Sequence, residues 1–401
     1  MNLEKTRQDF PILSDSKLIY FDNACTTLKP NSVIEAVSQF YREFPFCDRG
    51  SYKLSQVVGE KCEKVRQKTA KFINANNSNE VIFVKNATEG INFVANSFNF
   101  KAGDIVLTSD KEHNSNFLPW VRLAKHSKIQ HLITKTASNG EFDLGDYKSQ
   151  LEKNQGNIKL VSLVYTSNLD GVTYPVKEIV ELAHKYNSLV LLDATQAATH
   201  RRIDVKKLGV DFLVFSAHKM LGPTGIGILY IKKEIIENFV SSVIGGGTVN
   251  SASYTDYELL PSPQRFEAGI QNYSGIFGFG AALDYINSIG MENIEKQNLI
   301  LNKYITENLI NLPNLRLIGP AEPKKRSGII SFYIEGADPH YIAQLLENSG
   351  NIAIRSGQLC VHPWFSDKEI KGVIRISTYF YNTLAEAETL IKQIKNIVRI
   401  L

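Results

Sequence analysis

Short apolar runs alternate with amphipathic stretches along most of the chain. The runs have the β-branched and aromatic character of buried strands, and turn-forming or polar residues follow them. They predict strands at Leu18–Asp22, Glu80–Lys85, Asp104–Thr108, Lys159–Tyr165, Leu189–Leu192, Phe212–Phe215 and Ile226–Ile231. The amphipathic stretches predict helices from Asn31, over Ser55–Ala75, after Asn86 and over Val176–Tyr186. Strands that alternate with helices indicate βαβ units, so we predict an α/β fold with a mostly parallel central sheet and helices on both faces.

The pattern changes after Gly275. A long amphipathic helical stretch runs from there to about Leu312. Beyond it we predict a strand, a helix, an edge strand and a closing helix at Ser327–Glu335, Pro339–Asn348, Asn351–Arg355 and Leu384–Ile400. Because 401 residues exceed the usual size of one core, we expect a large α/β domain of residues 16–275 and a smaller α+β domain of residues 1–15 and 276–401, with a ligand cleft between them.

Composition narrows the class of protein. The chain is 43% hydrophobic and 21% charged, as is usual for a globular protein. The net charge is +4 and the basic residues are scattered among acidic ones, so we expect no nucleic-acid partner. The N-terminal segment lacks the apolar core of a signal peptide and no apolar stretch could cross a bilayer, so we expect a cytoplasmic protein without a membrane partner. The four cysteines lack metal-ligand spacing and disulfide density, so we treat each as a separate thiol and expect no metal.

Lys219 follows a predicted strand and precedes Gly222–Gly227, a turn-rich passage that no helix could cross. A free lysine amine is protonated, whereas a partly desolvated one can lose its proton and form a Schiff base. An isolated Ser-Ala-His-Lys sequence would more often be a surface turn. Asp193, however, ends the preceding strand; it is either a helix cap or the carboxylate that pyridoxal phosphate enzymes place against the pyridine nitrogen.

Several motifs together resemble a known family. They are Asp193–Gln196, Ser216–Tyr230, Arg265–Gly269 and Arg355–Cys360. In this order they resemble the class V aminotransferase-like enzymes of pyridoxal phosphate fold type I, and among these the group II cysteine desulfurases. The resemblance runs from about Tyr20 to the C-terminus.

The resemblance implies a cofactor site for pyridoxal 5'-phosphate. Its expected residues are Ala87, Thr88, His113, Asn168, Asp193, Gln196, Ser216, His218, Lys219 and Ile270. A helix that starts near Ala87 would direct its N-terminus at the phosphate, although Thr88 could equally be only an N-cap. Family members often have a hydroxyl residue at position 87 and a threonine at position 270. The segment with Ile270 is expected to cross a homodimer interface and complete the partner's phosphate site.

The implied catalytic residues are Lys219, Cys360 and His113. Lys219 would take the Cα proton, and His113 would stack on the ring and move protons, although a lone histidine after a strand is more often a cap. Cys360 lies in a Gly- and Pro-punctuated loop near Arg355 and His362, where a reactive thiolate is more plausible than in a core. The reaction would turn L-cysteine into L-alanine and leave a persulfide on Cys360 for a sulfur-acceptor protein, in iron–sulfur cluster or other sulfur-cofactor assembly.

The implied substrate contacts are Asn168, Arg355, Arg375 and Arg49. Arg375 would bind the α-carboxylate, and a guanidinium suits this task because it donates two parallel hydrogen bonds. Surface ion pairs are the alternative for both Arg355 and Arg375, and a solvated side chain is the alternative for Arg49. Cys25 lies in a loop that lines the site in the family, where we expect a structural role.

One departure from the family surrounds the thiol, and two other functions stay open. Group II relatives usually have two histidines before the cysteine and an alanine after it, whereas this chain has Gln358, Leu359 and Val361. The change concerns the environment of the thiol and the partner of the loop more than the reaction. The alternatives are another class V reaction that does not use Cys360, such as a selenocysteine lyase, an epimerase or a transaminase, or a non-catalytic scaffold.

Overall fold

The computed structural model describes residues 2–15, 17–127, 129–237 and 239–400. The predicted domain limits at 16 and 401 lie outside them. The α-helices are α1 (Leu3–Gln8), α2 (Pro11–Asp15), α3 (Asn31–Glu43), α4 (Lys53–Ile73), α5 (Ala87–Ser97), α6 (Asn114–His126), α7 (Leu144–Lys153), α8 (Val176–Lys185), α9 (Ala197–His200), α10 (Val205–Leu208), α11 (Lys233–Ile236), α12 (Tyr273–Ile289), α13 (Met291–Leu309), α14 (Pro339–Gly350), α15 (His362–Asp367) and α16 (Leu384–Ile400). The β-strands are β1 (Ile19–Tyr20), β2 (Val81–Val84), β3 (Ile105–Ser109), β4 (Gln130–Thr134), β5 (Ile158–Val164), β6 (Leu189–Asp193), β7 (Phe212–Ser216), β8 (Gly227–Ile231), β9 (Val249–Ala252), β10 (Tyr257–Leu259), β11 (Leu315–Ile318), β12 (Ile329–Ile334), β13 (Ile352–Ala353), β14 (Arg355–Gly357) and β15 (Val373–Ser377).

A seven-stranded sheet in the order β2-β8-β7-β6-β5-β3-β4 forms the centre of the larger unit. Strands β4, β3, β5, β6 and β7 pair in parallel, and β8 runs antiparallel to both of its neighbours. Successive side chains of β7 enter opposite cores: Leu213 and Phe215 pack with α4, α8 and α12, whereas Phe212 and Val214 pack with α5 and α6. Because both faces of the strand are buried, its sequence is continuously apolar. The predicted α/β fold with helices on both faces is confirmed.

A second, antiparallel sheet has the order β11-β12-β15-β14. Apolar residues of this sheet pack with α13, α14 and α16 in a separate core. Strand β1, from the N-terminal part of the chain, pairs in parallel with β13 in a separate two-stranded sheet. The smaller α+β unit is therefore present as expected, while the residue limits of the two domains stay a prediction. No helix within the described ranges is both long and apolar enough to cross a membrane.

The structure differs from the predicted elements at several points. The stretch after Gly275 is not one run of helix, because Gly290, at φ +82°, separates α12 from α13. The predicted edge strand Asn351–Arg355 divides into β13 and the start of β14, which belong to different sheets. We predicted neither β4 nor β11. Both are edge strands with polar residues among the apolar ones, so no continuous apolar run marks them.

Candidate active site

The carboxyl ends of the parallel strands surround a cavity of about 260 Å³, here called the strand-end cavity. Ligands of α/β proteins commonly bind at this edge of the sheet. Most of the predicted site residues line it: Ala87, Thr88, His113, Asn168, Asp193, Gln196, Ser216, His218, Lys219, Arg355, Cys360 and Arg375. A larger cavity of about 610 Å³, next to α13, contains none of the predicted residues. We therefore take the smaller cavity as the candidate site.

Lys219 and Asp193 project into the strand-end cavity from the ends of adjacent strands. Burial lowers the pKa of the Lys219 amine, and the nearby Asp193 carboxylate partly opposes this shift. Burial raises the pKa of Asp193, while the Thr195 N–H that donates to its Oδ1 (3.0 Å) and the charge of Lys219 lower it. The amine and the carboxylate thus influence each other in one pocket, as the sequence predicted.

One end of the cavity has the form of an anion site. Helix α5 begins at Ala87, and Asn86 caps it by accepting a hydrogen bond from the Glu89 N–H. The Ala87 N–H donates to Ser216 Oγ (2.9 Å), so this amide is already satisfied by the chain. The Thr88 and Ser115 hydroxyls are 2.7 Å apart at the same end. Thr88 is therefore not the N-cap, and its hydroxyl faces the cavity beside the positive end of the helix dipole.

His113 both caps a helix and lines the cavity. Its Nδ1 accepts a hydrogen bond from the Ser115 N–H (3.1 Å) at the start of α6. Burial, followed by the charges of Lys219 and Arg375, lowers the pKa of His113 to about 3. The ring is consequently neutral at physiological pH, with Nε2 left as the protonated nitrogen. The two roles that the sequence analysis considered for His113, a helix cap and a residue that stacks on the cofactor ring, are therefore compatible.

Arg355 and Arg375 are cross-strand partners on β14 and β15, and Asp22 holds them together. Asp22 Oδ1 lies 3.1 Å from Arg375 Nη2, and its Oδ2 lies 3.7 Å from Arg355 Nη1. Arg375 is only 4% exposed, and its Nη1 donates to the Asn168 carbonyl (3.1 Å). Two guanidinium groups and one carboxylate leave a net charge of about +1, which suits a substrate carboxylate.

Cys360 is the exposed thiol of a tight turn between β14 and α15. The Val361 N–H donates to the Gln358 carbonyl (2.9 Å), and both central residues have positive φ, +51° at Leu359 and +58° at Cys360. Neither residue is a glycine or asparagine, so the turn is held by its surroundings. Asn168 Nδ2 donates to the Leu359 carbonyl (2.9 Å) and the Asn114 N–H donates to the Cys360 carbonyl (2.6 Å).

Two predicted site residues lie away from the strand-end cavity of this chain. Arg49 donates to the Gly269 carbonyl and lies against Gly247. Ile270 is 66% exposed and lines a separate groove with Lys85 and Gln271. The expected contacts of Arg49 with the substrate and of Ile270 with the partner's phosphate site therefore stay predictions.

Two acids near the site, Asp22 and Glu112, were given no functional role in the sequence analysis. Asp22 was expected only as the end of a strand, because its partners are more than 300 positions away. Glu112 is fully buried beside His113, and burial raises its pKa to about 8. Its carboxyl accepts hydrogen bonds from Ser109 Oγ, the Val164 N–H and Asn116 Nδ2. Its burial could not be recognised from the sequence, because polar residues surround it in the chain.

Comparison with known proteins agrees with this geometry. The profile described as "Aminotransferase class-V" matches residues 19–390. The chain belongs to the class-V aminotransferase family. It is 39% identical to a probable cysteine desulfurase of Pyrococcus abyssi, over 99% of this chain and 98% of that protein, and 36% identical to a cysteine desulfurase of Salmonella agona, over 100% and 99%. The apo structure of a cysteine desulfurase from Thermococcus onnurineus has a TM-score of 0.94 at 38% identity and covers 99% of this chain and 98% of its own.

Membership in the class-V family confirms the predicted pyridoxal phosphate cofactor. The residues of the strand-end cavity fit this group, since they supply an amine of lowered pKa and a buried carboxylate in one pocket. Two further polar atoms of its lining, Asn168 Oδ1 and Gln196 Oε1, have no hydrogen-bond partner in the described part of the chain. Assignment to group II stays a prediction.

Proposed function

We propose that this chain is a pyridoxal phosphate-dependent cysteine desulfurase that takes sulfur from L-cysteine and holds it as a persulfide on Cys360. The observation that carries the proposal is one cavity lined by a half-buried amine, a buried carboxylate, an arginine pair and an exposed thiol. The names of the full-length relatives support it.

The cavity residues would hold the cofactor in a defined way. Lys219 would carry it through the amine, Asp193 would face the pyridine nitrogen, and Thr88 with Ser216 would lie at the phosphate. When bound, pyridoxal phosphate withdraws electrons from the Cα of an amino acid. The neutral His113 ring would pack on the flat face of the group without adding a charge.

The protein's own groups then account for the reaction. Arg375 and Arg355 bind the substrate carboxylate, and Asp22 keeps both guanidinium groups in place. The Lys219 amine takes the Cα proton, which its lowered pKa permits. The Cys360 thiolate attacks the substrate sulfur: the new S–S bond forms as the substrate Cβ–S bond breaks. Protons return to Cα and Cβ, so L-cysteine and the Cys360 thiol give L-alanine and the Cys360 persulfide.

A homodimer would explain the roles expected for Arg49 and Ile270, which do not line the strand-end cavity of their own chain. Ile270, Val243 and Ile244 are exposed apolar residues close to the groove beside α5. A second copy placed there would bury them and bring Arg49 and the backbone of Ile270 to the partner's cavity. Light scattering of the purified protein tests this, since a monomeric mass would contradict it.

The acceptor protein, use of the sulfur in iron–sulfur cluster assembly and the cytoplasmic location stay predictions.

The decisive experiment follows the sulfur. The cofactor-loaded protein is incubated with L-cysteine, and alanine and the mass of the Cys360 peptide are measured. We expect alanine together with one added sulfur on Cys360, and loss of both in Cys360→Ala. Cys47→Ala is the matched control, since Cys47 lies outside the cavity and bonds with Asp48 and Tyr273. Alanine or another product that persists in Cys360→Ala would favour a different class V reaction, and a protein that binds no cofactor would favour a scaffold.

A further inference from the structure

Cys25 is a second thiol in the strand-end cavity. Its half-buried side chain lines the cavity together with the exposed Cys360. Both thiolates lie near enough to the Lys219 amine to raise its pKa, although burial outweighs them. A structural role, as expected from the sequence, would not require the thiol to face this cavity.

The loop around Cys25 is fixed to the catalytic segments on both sides. Gln196 Nε2 donates to the Ala24 carbonyl (2.8 Å), and Thr26 Oγ1 donates to the His218 carbonyl (3.0 Å), one residue before Lys219. The Cys25 N–H donates to the Asp22 carbonyl (3.1 Å). Because these bonds restrain the backbone, the thiol keeps its place in the cavity wall.

An independent feature marks the same place as a ligand position. Arg375 is 4% exposed, lines the cavity and has an Nε without a hydrogen-bond partner among the described residues. Burial lowers the pKa of Arg375, and the charge of Asp22 and, to a smaller extent, that of a Cys25 thiolate oppose this shift. Cys25 and Arg375 line the same cavity. A substrate bound to this arginine would lie in the cavity that Cys25 also lines.

The persulfide must form inside this cavity. Under the proposed function, Cys360 takes the sulfur from a substrate that is bound to Lys219 and Arg375. The outer sulfur of the persulfide is therefore formed near Lys219 and Arg375. Cys25 and Cys360 line the same cavity, so the persulfide and the Cys25 thiol share it once alanine leaves. A thiolate attacks a sulfur–sulfur bond without any other reagent.

We propose that Cys25 accepts the outer sulfur from the Cys360 persulfide and holds it as a second persulfide. This step rests on the proposed function. The Cys25 thiolate bonds to the outer sulfur as the S–S bond at Cys360 breaks. Cys360 leaves as a thiolate, and the transferred sulfur keeps its proton. Nothing is oxidised or reduced overall, and Cys360 becomes free for a second turnover.

The test uses the cofactor-loaded enzyme and L-cysteine labelled with ³⁴S, without a sulfur acceptor. After alkylation and digestion, mass spectrometry locates the label, and alanine formed in the initial burst is counted per chain. We expect label on both cysteines and a burst of about two alanines in the wild type and in Cys47→Ala. In Cys25→Ser and Cys25→Ala the burst should fall to about one, with label on Cys360 alone.

The outcomes separate the two proposals. Label on Cys360 but never on Cys25 in the wild type overturns the inference and leaves the proposed function standing. Label on Cys25 in Cys360→Ala also overturns it, because the sulfur would then come directly from the substrate. Alanine without label on either cysteine overturns the proposed function as well. The wild-type result is decisive even if the Cys25 variants fold poorly.

Discussion

The two walls of the strand-end cavity are built differently. The first, here the strand-end wall, consists of Asn168, Asp193 and Lys219 at the ends of parallel strands with both faces buried. The second, here the arginine–thiol wall, consists of Arg355, Cys360 and Arg375 from the antiparallel sheet and the turn beside it. On the first wall Asn168 and Asp193 are buried and Lys219 is half-buried, whereas Cys360 is exposed and its turn has two positive φ angles.

This difference matches two chemical tasks. Proton transfer at Cα requires an amine whose pKa is lowered, and burial in a rigid sheet achieves this. Delivery of sulfur requires a thiol that a partner can reach, and a turn at the surface provides it. The cavity thus combines one wall that lowers the pKa of the amine with one wall whose thiol a partner can reach.

The largest expected effect comes from removing the amine of the strand-end wall. Lys219→Ala should lower alanine formation from L-cysteine by at least about 10³-fold, since the variant lacks both the base and the group that holds the cofactor. Alanine production is measured by mass spectrometry under saturating cysteine. Lys207→Ala, at an 85% exposed side chain, is the control and should keep wild-type activity. A Lys219→Ala enzyme within tenfold of the wild type would contradict the assignment.

The next effect tests how the arginine–thiol wall is held. Asp22→Asn leaves Arg375 buried beside Arg355 without the carboxylate that both contact. We expect a loss of about 3 kcal/mol in the free energy of unfolding, because a buried charge loses its partner. The KM for cysteine should also rise. Urea unfolding and steady-state kinetics measure the two effects.

A matched surface pair provides the control for Asp22→Asn. Glu35 and Arg42 form an exposed ion pair, with side chains 63% and 64% exposed. Glu35→Gln should change the free energy of unfolding by less than about 1 kcal/mol. Equal effects of the two substitutions would show that Asp22 does not organise the arginines.

The two walls also differ in how far the sequence predicts them. Apolar runs before Asp193 and Lys219 end where parallel strands end, so their meeting at one sheet edge follows from local pattern. Asp22 and Arg375 are 353 positions apart in the sequence and meet only through tertiary folding. A local sequence pattern cannot predict such a contact. The positive φ angles at Leu359 and Cys360 carry no signal either, since neither residue type is typical of that conformation. Tertiary packing overrides local preference in the arginine–thiol wall.

A smaller effect is expected from the apolar anchor of the thiol turn. Leu359 is 9% exposed and packs with Trp364, Phe365 and Val373. Leu359→Ala should cost about 2 kcal/mol through the cavity it leaves. It should also speed alkylation of Cys360 while the absorbance of the bound cofactor stays unchanged. Ile318→Ala, in the same cluster but outside the turn, should destabilise the protein similarly without changing the alkylation rate; equal rates in both variants would refute the anchor role.

The smallest effect tests whether burial behind the strand-end wall keeps a histidine neutral. His200, on α9 four residues after Gln196, is 4% exposed, and burial lowers its pKa to about 3. Above pH 6.5 the ring is neutral in both states, whereas at lower pH only the unfolded state gains the proton. The free energy of unfolding should therefore fall by about 1 kcal/mol between pH 7.5 and 5.5 because of this group. His200→Gln should remove that part of the slope in urea unfolding, and His126→Gln, at an exposed position, is the control. An unchanged slope in His200→Gln would mean that the folded protein accepts a charged ring at this buried position on α9.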